Sequence, residues 1–443
     1  MTPLVHRLAR ALYALLLRLG LPLYLWRLWR RGAREPWYRR AWGERLGLYR
    51  GRVEPGALWL HAVSLGETRA AMPLIEALRE QRPGLRLLLT HGTATGRNAG
   101  RALLRDGDLQ AWLPYDMPGA ARRFLRHFRP SVGVLMETEL WPSLMREAER
   151  FDVPMVLANA RLSERSARRG RRLAALMHPA ARRLTLVLAQ TPDDGGRLAA
   201  AGAPQVLVGG NLKYDMTPAP RLLAQGLQWR QALERPVVLA AVTREGEEQP
   251  LLDLWREVPL PRPLLVIVPR HPQRFDEVAA LVQAAGLGLA RRSAWAETPP
   301  ADAAAADVWL GDSLGEMPLY YAAADVALLG GSFAPLGGQN LIEAAACGCP
   351  LVMGPHTFNF AHAAELSIAA GAALRVADLA AGVDAALKLA ADPQRREWVE
   401  RAFAFAASHR GAAQWMAQQV LGLTGEPLTP ALRLTSAEPK AAG

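Results

Sequence analysis

The sequence is poor in cysteine and lysine. Its 443 residues include only two cysteines, Cys347 and Cys349, and three lysines, whereas arginine occurs 50 times. This cysteine count excludes a disulfide framework and indicates a reducing compartment. A zinc site is disfavoured because no second Cys/His cluster accompanies the pair. We interpret the two cysteines as small buried residues.

Several catalytic motifs are also absent. The chain contains no G-x-x-x-x-G-K-[ST] phosphate loop, no G-x-S-x-G serine elbow and no H-E-x-x-H zinc helix. No Asp-x-Asp pair stands where a metal ion would hold a nucleotide diphosphate. P-loop nucleotidases, serine hydrolases and zinc proteases are therefore disfavoured, and a reaction without a metal ion or cofactor is expected.

The positive charge is concentrated at the N-terminus. Of a formal net charge of +12, residues 1–50 contribute eleven arginines against Glu35 and Glu44. Residues 11–26 are apolar except for Arg18, and no small-residue cleavage site follows. A single uncleaved span and an interfacial helix with snorkelling arginines both remain open. Either would hold the body at the cytoplasmic face of an anionic membrane, so nucleic acid is not the expected partner.

From Leu58 onward, short apolar runs alternate with helical stretches rich in Ala, Leu and Arg. This pattern predicts an α/β fold with two Rossmann-like domains, each with a parallel sheet covered on both faces, and a cleft between them. The first series of predicted strands is 58–63, 85–90, 111–115, 132–137, 154–159, 184–189 and 205–210. The second series is 236–242, 263–269, 307–312, 325–331 and 350–355.

These series define the predicted domains. We expect a membrane anchor with a basic flank (1–50), an N-terminal domain (51–215), an interdomain hinge (216–235), a C-terminal domain (236–424) and a disordered tail (425–443). Ligands of such sheets bind beyond the carboxyl ends of the strands, so the turns that follow the strands are the candidate sites.

In the first domain, acidic residues follow two predicted strands. Glu67 stands at the start of a helix in HAVSLGE, where a carboxylate is favoured electrostatically and suits a general base. Glu137 and Glu139 end another strand and would share one face if the chain stays extended there. An ordinary first-turn glutamate and a salt-bridged strand end are the alternatives. Downstream, a group of four polar residues would either meet phosphates on an acceptor or belong to a solvated, capped helix start: Asn159, Arg161, Ser163 and Arg165.

In the second domain, glycine-rich turns indicate a nucleotide pocket. Two Gly-Gly pairs in GGSFAPLGGQNLIEAAACGCP precede a helix with Asn340 and Glu343 on one face. Arg270 and His271 end another predicted strand and suit a phosphate. Glu316 lies in the Gly-flanked turn GDSLGEM. Each alone is compatible with a plain α/β turn, but together they favour a nucleotide site.

These residues occur in ordered motifs that resemble one family, the 3-deoxy-D-manno-octulosonic acid (Kdo) transferases of lipopolysaccharide synthesis. The resemblance covers roughly residues 1–420. Its motifs are HAVSLGE (61–67), LMETELWP (135–142), NARLSERS (159–166), GNLKYD (210–215), VPRHPQRF (268–275), LGDSLGEM (310–317), AAADVALLGGSF (322–333), GGQNLIEAAACG (337–348) and GPHTFNF (354–360).

The resemblance implies an inverting, metal-independent GT-B glycosyltransferase at the cytoplasmic face of the inner membrane, with Kdo moving from CMP-Kdo to lipid IVA. It implies that Glu67 is the proton acceptor and that Glu137 and Lys213 stabilise the transition state. The residues it implies for CMP binding are Arg270, His271, Gly315, Glu316, Met317, Asn340, Leu341, Ile342 and Glu343.

The sequence departs from the family at two positions. Arg244 and Gln339 stand where the family often has His. Both are polar donors, so we expect altered contacts and retained activity.

Two other functions are compatible with parts of the sequence. One is a GT-B enzyme with a different donor, such as a UDP-sugar transferase or a related epimerase, which CMP would not stabilise. The other is a non-catalytic basic protein that binds membrane or nucleic acid. In that protein Glu67→Gln would leave function intact and binding would fall steeply with salt.

Overall fold

The computed structural model describes residues 3–425. Within this range the chain forms two compact units. The first runs to Asp215 and resumes at Gly411, and the second is Met216–Arg410. The predicted tail, 425–443, lies outside the described residues except for Gly425.

The first unit is built on a parallel sheet of seven strands. The order across the sheet is 3-2-1-4-5-6-7 in chain numbering, so the direction of winding reverses between the first and fourth strands. This is the Rossmann order with one strand added, and its reversal is where such sheets bind ligands. The strands are β1 (Leu58–His61), β2 (Leu87–His91), β3 (Leu109–Trp112), β4 (Val132–Met136), β5 (Met155–Ala160), β6 (Leu186–Ala189) and β7 (Val206–Val208).

Helices cover both faces of this sheet. The helices of the first unit are α1 (Pro3–Arg31), which packs on α7, and α2 (Leu65–Gln81), α3 (Ala94–Arg101), α4 (Pro118–Phe128), α5 (Pro142–Arg150), α6 (Glu164–Arg172), α7 (Ala174–Ala181), α8 (Pro192–Ala200) and, after the second unit, α18 (Ala412–Gly422). Along β1, Leu58 and Leu60 belong to the core with α2 and α18, whereas Trp59 belongs to the core with α4 and α5. Burial on both faces explains the uninterrupted apolar strands.

The second unit repeats the design. Its parallel sheet has the order β10-β11-β9-β8-β12-β13-β14, with the reversal between β8 and β12. The strands are β8 (Val237–Thr243), β9 (Leu264–Pro269), β10 (Leu289–Arg291), β11 (Val308–Leu310), β12 (Val326–Leu329), β13 (Leu351–Met353) and β14 (Ala373–Arg375). The helices are α9 (Pro220–Ala232), α10 (Glu248–Arg256), α11 (Phe275–Ala284), α12 (Ala301–Ala305), α13 (Met317–Ala323), α14 (Leu341–Ala346), α15 (Ala361–Ala369), α16 (Leu379–Ala390) and α17 (Arg395–Ser408).

The sequence analysis missed two strands and misplaced two helices. β10 and β14 are three residues long and each ends in arginine, so neither has the apolar run that predicts a strand. Helix α9 fills most of the predicted hinge but packs on α13, with Trp229 buried. Helix α18 was assigned to the C-terminal domain, yet it packs on α2 in the first unit, where Met416 is fully buried.

The N-terminal segment, predicted as a separate anchor, is packed on the first unit. Residues 38–49 wrap around the edge strand β3, and Trp112 at the end of that strand is the centre of the contact. The guanidinium carbons of Arg45 and Arg97 lie 3.9 and 4.7 Å from the Trp112 ring centroid. The Glu44 carboxylate accepts hydrogen bonds from the Trp112 backbone N–H (2.8 Å) and from Arg97 (3.0 Å). This segment therefore covers an edge that would otherwise be open to pairing.

Helix α1 has one face on the body and one face free. His6 shares a 2.8 Å hydrogen bond with the carbonyl of Ala175, Tyr24 packs edge-on against Tyr115, and Leu28 is buried. The opposite face exposes large apolar side chains, including Leu4, Leu8, Leu12, Leu15, Leu16, Leu19, Leu23, Trp26 and Trp29. Among the described residues, this helix alone is long and apolar enough to cross a membrane, by length and composition only.

The placement of α18 predicts an effect on stability. Met416→Ala removes a fully buried side chain from the core shared with α2, so we expect a loss of about 2–4 kcal/mol in the free energy of unfolding. Gln418→Ala, at an exposed position of the same helix, should change it by less than about 0.5 kcal/mol. Urea unfolding of the full chain in detergent measures both. Equal effects would contradict the assignment of α18 to this core.

Candidate active site

Glu67 is held at the start of α2 by a capping box. The Ser64 side chain accepts a hydrogen bond from the Glu67 backbone N–H (3.3 Å), and the Glu67 carboxylate accepts one from the Ser64 hydroxyl (3.1 Å). The Val63 N–H donates to the same carboxylate at 2.8 Å. Burial raises the pKa of Glu67, the Val63 hydrogen bond opposes this, and the Glu137 charge raises it further. The carboxylate is therefore fixed in position and more basic than an exposed glutamate.

Glu137 follows β4, the strand beside β1 in the sheet. Its φ of +57° is in the left-handed region, which is unfavourable for a residue with a Cβ. The backbone holds this conformation, because the Glu137 N–H donates to Ala158 (2.9 Å) and its carbonyl accepts from Arg161 (3.3 Å). The side chain forms an ion pair with Arg161 at 3.1 Å. Arg161 is thus a partner of Glu137, a role that the sequence analysis did not assign to it.

Glu139 lies in a turn instead of continuing the strand. Its N–H donates to the carbonyl of Met136 at 3.3 Å, so the chain turns here and the extended segment on which Glu137 and Glu139 would share a face is not formed. Electrostatics nevertheless couple the acidic groups. Burial raises the pKa of Glu139 to about 7, and the Glu67 and Glu137 charges contribute to the increase. At neutral pH this carboxyl group is therefore only partly ionised.

Lys213 lies in a short 3-10 helix, Leu212–Asp215, that is anchored from β5. The side-chain oxygen of Asn159, a fully buried residue, accepts the Leu212 N–H (3.1 Å), and that of Asn211 accepts the Lys213 N–H (3.0 Å). Burial lowers the pKa of Lys213, whereas the Glu137 charge raises it. The Asn159 side-chain oxygen therefore supports the backbone that carries Lys213.

The first unit thus brings Glu67, Glu137 and Lys213 together at the reversal between β1 and β4. The arrangement offers a basic carboxylate at Glu67, a second carboxylate that is paired with Arg161, and an ammonium group that burial makes easier to deprotonate. Within residues 3–425, no group of three or more His, Cys, Asp or Glu side chains is placed to hold a metal ion.

In the second unit, the loops after β8 and β12 are joined by Glu247. Its carboxylate accepts the Gly331 N–H at 2.8 Å and the Arg244 N–H at 2.9 Å. The Gly338 N–H donates to the Gly331 carbonyl at 2.7 Å. These amides are used within the unit, so the Gly-Gly pairs shape the loop rather than offering all their N–H groups to an anion. The sequence analysis did not assign a role to Glu247. Its position in the turn after β8 could have indicated one, because the turns that follow strands are the candidate sites.

The predicted nucleotide residues follow three of the four strands around this reversal. Arg270 and His271 are exposed after β9, and the Arg270 N–H donates to the Thr243 carbonyl at 2.9 Å. Gly315 has a φ of +82° in the turn after β11. Glu316 and Met317 lead from that turn into α13. The loop after β12 leads into α14, where the remaining predicted residues lie: Asn340, Leu341, Ile342 and Glu343.

Glu316 and Asn340 are held by neighbouring groups. Glu316 accepts a hydrogen bond from Arg292 at 3.0 Å, and its other carboxylate oxygen is buried without a protein partner. The Asn340 side chain caps α14 by accepting the Ile342 N–H at 3.3 Å. The second Glu316 oxygen therefore lacks a protein partner but is closed to solvent in this conformation.

Arg244 and Gln339, the two residues that depart from the family pattern, both lie close to Gly331. A Cβ built at Gly331 would be 3.2 Å from the Gln339 side-chain nitrogen and 3.6 Å from the Arg244 Cγ. The two unusual residues therefore share a single environment next to the Glu247-linked loop.

The raised pKa of Glu139 predicts a pH-dependent stability. A carboxyl group whose pKa rises from 4.5 to about 7 on folding stabilises the protein at low pH, and this contribution is lost as pH rises through that window. The free energy of unfolding of Glu139→Gln, relative to that of wild type, should therefore rise by about 2 kcal/mol between pH 5 and pH 8, a figure that allows for solvent screening. Urea unfolding at both pH values measures this.

The control is Glu76→Gln, an exposed position on α2. It should follow wild type at both pH values. An identical pH dependence of wild type and Glu139→Gln would contradict the assignment of a raised pKa to Glu139.

Comparison with known proteins identifies the family. The model described as 3-deoxy-D-manno-octulosonic-acid transferase (kdotransferase) matches residues 40–216. The chain is 49% identical over 429 residues to the 3-deoxy-D-manno-octulosonic acid transferase of Bordetella pertussis, with 92% of this chain and 97% of the relative covered. The Haemophilus influenzae transferase is 36% identical over 362 residues, with coverage of 79% and 83%.

The solved structures show the fold. The UDP-GlcNAc 2-epimerase of Neisseria meningitidis, bound to UDP-GlcNAc, matches with a TM-score of 0.53 and 16% identity over 84% of this chain and 99% of that chain. At this identity the likeness carries the GT-B-like fold alone. With nearly half its residues identical to a Kdo transferase over almost its whole length, the chain belongs to the 3-deoxy-D-manno-octulosonic acid transferase family, the glycosyltransferases that transfer Kdo in lipopolysaccharide synthesis.

Proposed function

We propose that this Kdo transferase moves Kdo from CMP-Kdo to the glucosamine disaccharide of lipid IVA, with inversion and without a metal ion. The observation that carries the proposal is the position of Glu67, a half-buried carboxylate with a raised pKa at the reversal of the first sheet. An attacking sugar hydroxyl needs a base at a fixed position, and the capping box supplies that position.

The single base supports an inverting reaction. Glu67 accepts the proton of the acceptor hydroxyl. At the same time the oxygen of that hydroxyl forms the bond to the anomeric carbon of Kdo, and CMP departs with the electrons of the broken bond. One direct displacement of this kind inverts the configuration. Because ionised Glu67 is the active form, its raised pKa means that the rate rises with pH through a value above the ordinary glutamate range.

Glu137 and Lys213 are suited to the charges that develop. Departure of CMP leaves an oxocarbenium-like sugar with positive charge near the anomeric carbon, which a fixed carboxylate such as Glu137 stabilises. Lys213 and Arg161 are cations beside it and suit the carboxylate of Kdo or a phosphate of the acceptor. The ion pair and the anchored 3-10 helix hold these groups before substrate arrives, which reduces the reorganisation needed for the reaction.

CMP presents one phosphate, so its charge is small enough for protein groups alone. The residues proposed to bind it are those of the resemblance: Arg270, His271, the Gly315–Met317 turn and the residues from Asn340 to Glu343. Arginine pairs with phosphate through two parallel hydrogen bonds. Glu316, which is paired with Arg292, belongs to this turn.

We place the enzyme at the cytoplasmic face of the inner membrane through α1. Contacts at His6, Tyr24 and Leu28 hold one side of the helix to the body, which favours a helix lying along the membrane surface over one that crosses it. Its exposed leucines enter the apolar layer, while Arg27, Arg30 and Arg31 meet anionic headgroups.

The reaction is tested by mass spectrometry of lipid IVA after incubation with pre-formed CMP-Kdo and purified enzyme in excess EDTA. Wild type should add Kdo, and Glu67→Gln should lower kcat by about 100-fold or more because the base is lost. Glu76→Gln, also on α2 but exposed, should stay close to wild type.

Three results would contradict separate parts of the proposal. No Kdo increment from folded wild type would exclude this donor and acceptor pair. Loss of activity only on addition of EDTA would exclude the metal-free reaction. Full activity of Glu67→Gln would remove Glu67 from the role of base.

The membrane proposal predicts the effect of charge on the free face of α1. Leu12 and Leu19 are 57% and 69% exposed, so the double substitution Leu12→Asp, Leu19→Asp should lower binding to phosphatidylethanolamine–phosphatidylglycerol vesicles by at least about tenfold. Leu227→Asp, on an exposed position of α9, is the matched control. Vesicle co-sedimentation measures all three proteins, and equal binding would contradict the proposed contact.

A further inference from the structure

A cavity of about 280 Å³ lies in the first unit beneath α6 and α7. Its walls are mainly apolar and include Leu140, Leu157, Leu162, Met177, Leu184 and Leu198. Protein interiors contain few voids larger than a water molecule, and ligand pockets begin at about 300 Å³. A space of this size is therefore comparable to a small binding pocket and larger than a packing defect.

The cavity adjoins the candidate active site. Thr138 lines it and directly follows Glu137, and Arg161, which pairs with Glu137 at 3.1 Å, lines it as well. A molecule whose apolar part occupies the cavity and whose polar part leaves it at Arg161 therefore reaches the carboxylates after β4. The mainly apolar walls offer few hydrogen-bonding partners. A sugar would lose its hydrogen bonds to water there without replacing them, whereas a hydrocarbon chain has none to lose.

The elements that cover the cavity also connect it to α1. Helix α6 has no buried residue and carries five arginines, Arg165, Arg168, Arg169, Arg171 and Arg172, so its outer surface is strongly basic. Helix α7 packs against α1, the helix with the exposed apolar face. Helix α7 is therefore a wall of the cavity and also the support of the helix that we place on the membrane, and α6 beside it carries cations that can meet phosphate groups.

We propose that this cavity binds one acyl chain of the acceptor lipid and so positions the acceptor sugar at Glu67. The inference rests on the proposed function, because it takes the acceptor to be a phosphorylated, acylated disaccharide. The apolar walls bind the chain, and the arginines of α6 together with Arg161 bind its anionic head. The acyl chain then contributes to binding of the acceptor, and the enzyme favours acylated over deacylated acceptors.

The test fills the cavity with a large side chain that is introduced on α6. Ala167 lines the cavity from α6, whereas Ala199 on α8 is exposed and does not line it. Wild type, Ala167→Trp and Ala199→Trp are assayed with lipid IVA and with the same disaccharide bisphosphate after removal of its acyl chains. Both acceptors are presented with identical phosphatidylethanolamine–phosphatidylglycerol vesicles, so that bilayer lipid is constant.

Ala167→Trp should lower kcat/KM for lipid IVA by about tenfold or more, mainly through KM, since loss of about two buried methylene groups is sufficient for that change. It should change kcat/KM for the deacylated acceptor by less than about twofold, which also shows that the variant is folded and active. Ala199→Trp should match wild type with both acceptors. Equal losses on both acceptors, or no loss on lipid IVA, would overturn the proposal.

A binding measurement separates this inference from the proposed function. Lipid IVA with a diazirine at the end of one acyl chain is photolysed with each protein, and the labelled peptides are mapped. Labelling within residues 138–203 that Ala167→Trp abolishes and Ala199→Trp retains supports the cavity even if no Kdo is transferred. Labelling confined to α1 or to other segments would overturn the inference, whereas absence of transfer by wild type to either acceptor counts against the proposed function.

Discussion

All the strands in each sheet run parallel, so their carboxyl ends lie along a single edge of that sheet. This constraint separates apolar from polar residues within each unit. The strands are buried on both faces and therefore apolar, while the polar groups stand in the turns at the carboxyl edge. The helices that begin there add the positive end of their dipoles to the same edge, which favours carboxylates and bound anions. Glu67 and Glu137 are close because β1 and β4 are neighbours across the reversal, although 70 residues separate them in the chain.

The strand ends near the two reversals are locally irregular. Asn159 and Val242 have φ values of +51° and +60°, and the pairing register shifts beside each of them, between Leu157 and Ala160 and between Ala241 and Thr243. Such irregularities redirect the following side chains and are costly for a β-branched residue. The Val242 carbonyl approaches Gly330 so closely that a Cβ there would lie 2.4 Å from it, which explains the glycine at that position. In the first unit, the bulge positions Asn159 to hold the backbone of Lys213.

The sequence predicted the α/β class, twelve of the strands and the acidic residues that follow two of them, because apolar runs and turn residues are local signals. It did not predict the partner of Glu137, because Arg161 follows a different strand and only the sheet brings the two together. The sequence did not predict the turn at Glu139, because METE contains no residue type that favours the left-handed backbone conformation found at Glu137. Helix α18 was assigned to the wrong unit for a similar reason. Its apolar face indicates a buried helix, but a long-range contact with α2 decides which core it joins.

The packing around Trp112 has a consequence for how the protein can be prepared. Glu44 satisfies the free N–H at the end of β3, and Arg45 and Arg97 enclose the indole, so the segment after α1 completes the edge of the first sheet. Removal of residues 1–50 to obtain a detergent-free enzyme would leave an unpaired edge strand and an uncovered tryptophan, both of which favour aggregation. Residues 3–50 and the sheet of the first unit are therefore packed as one body, and a variant with a less apolar surface is better sought by replacing the outward leucines of α1 than by truncation.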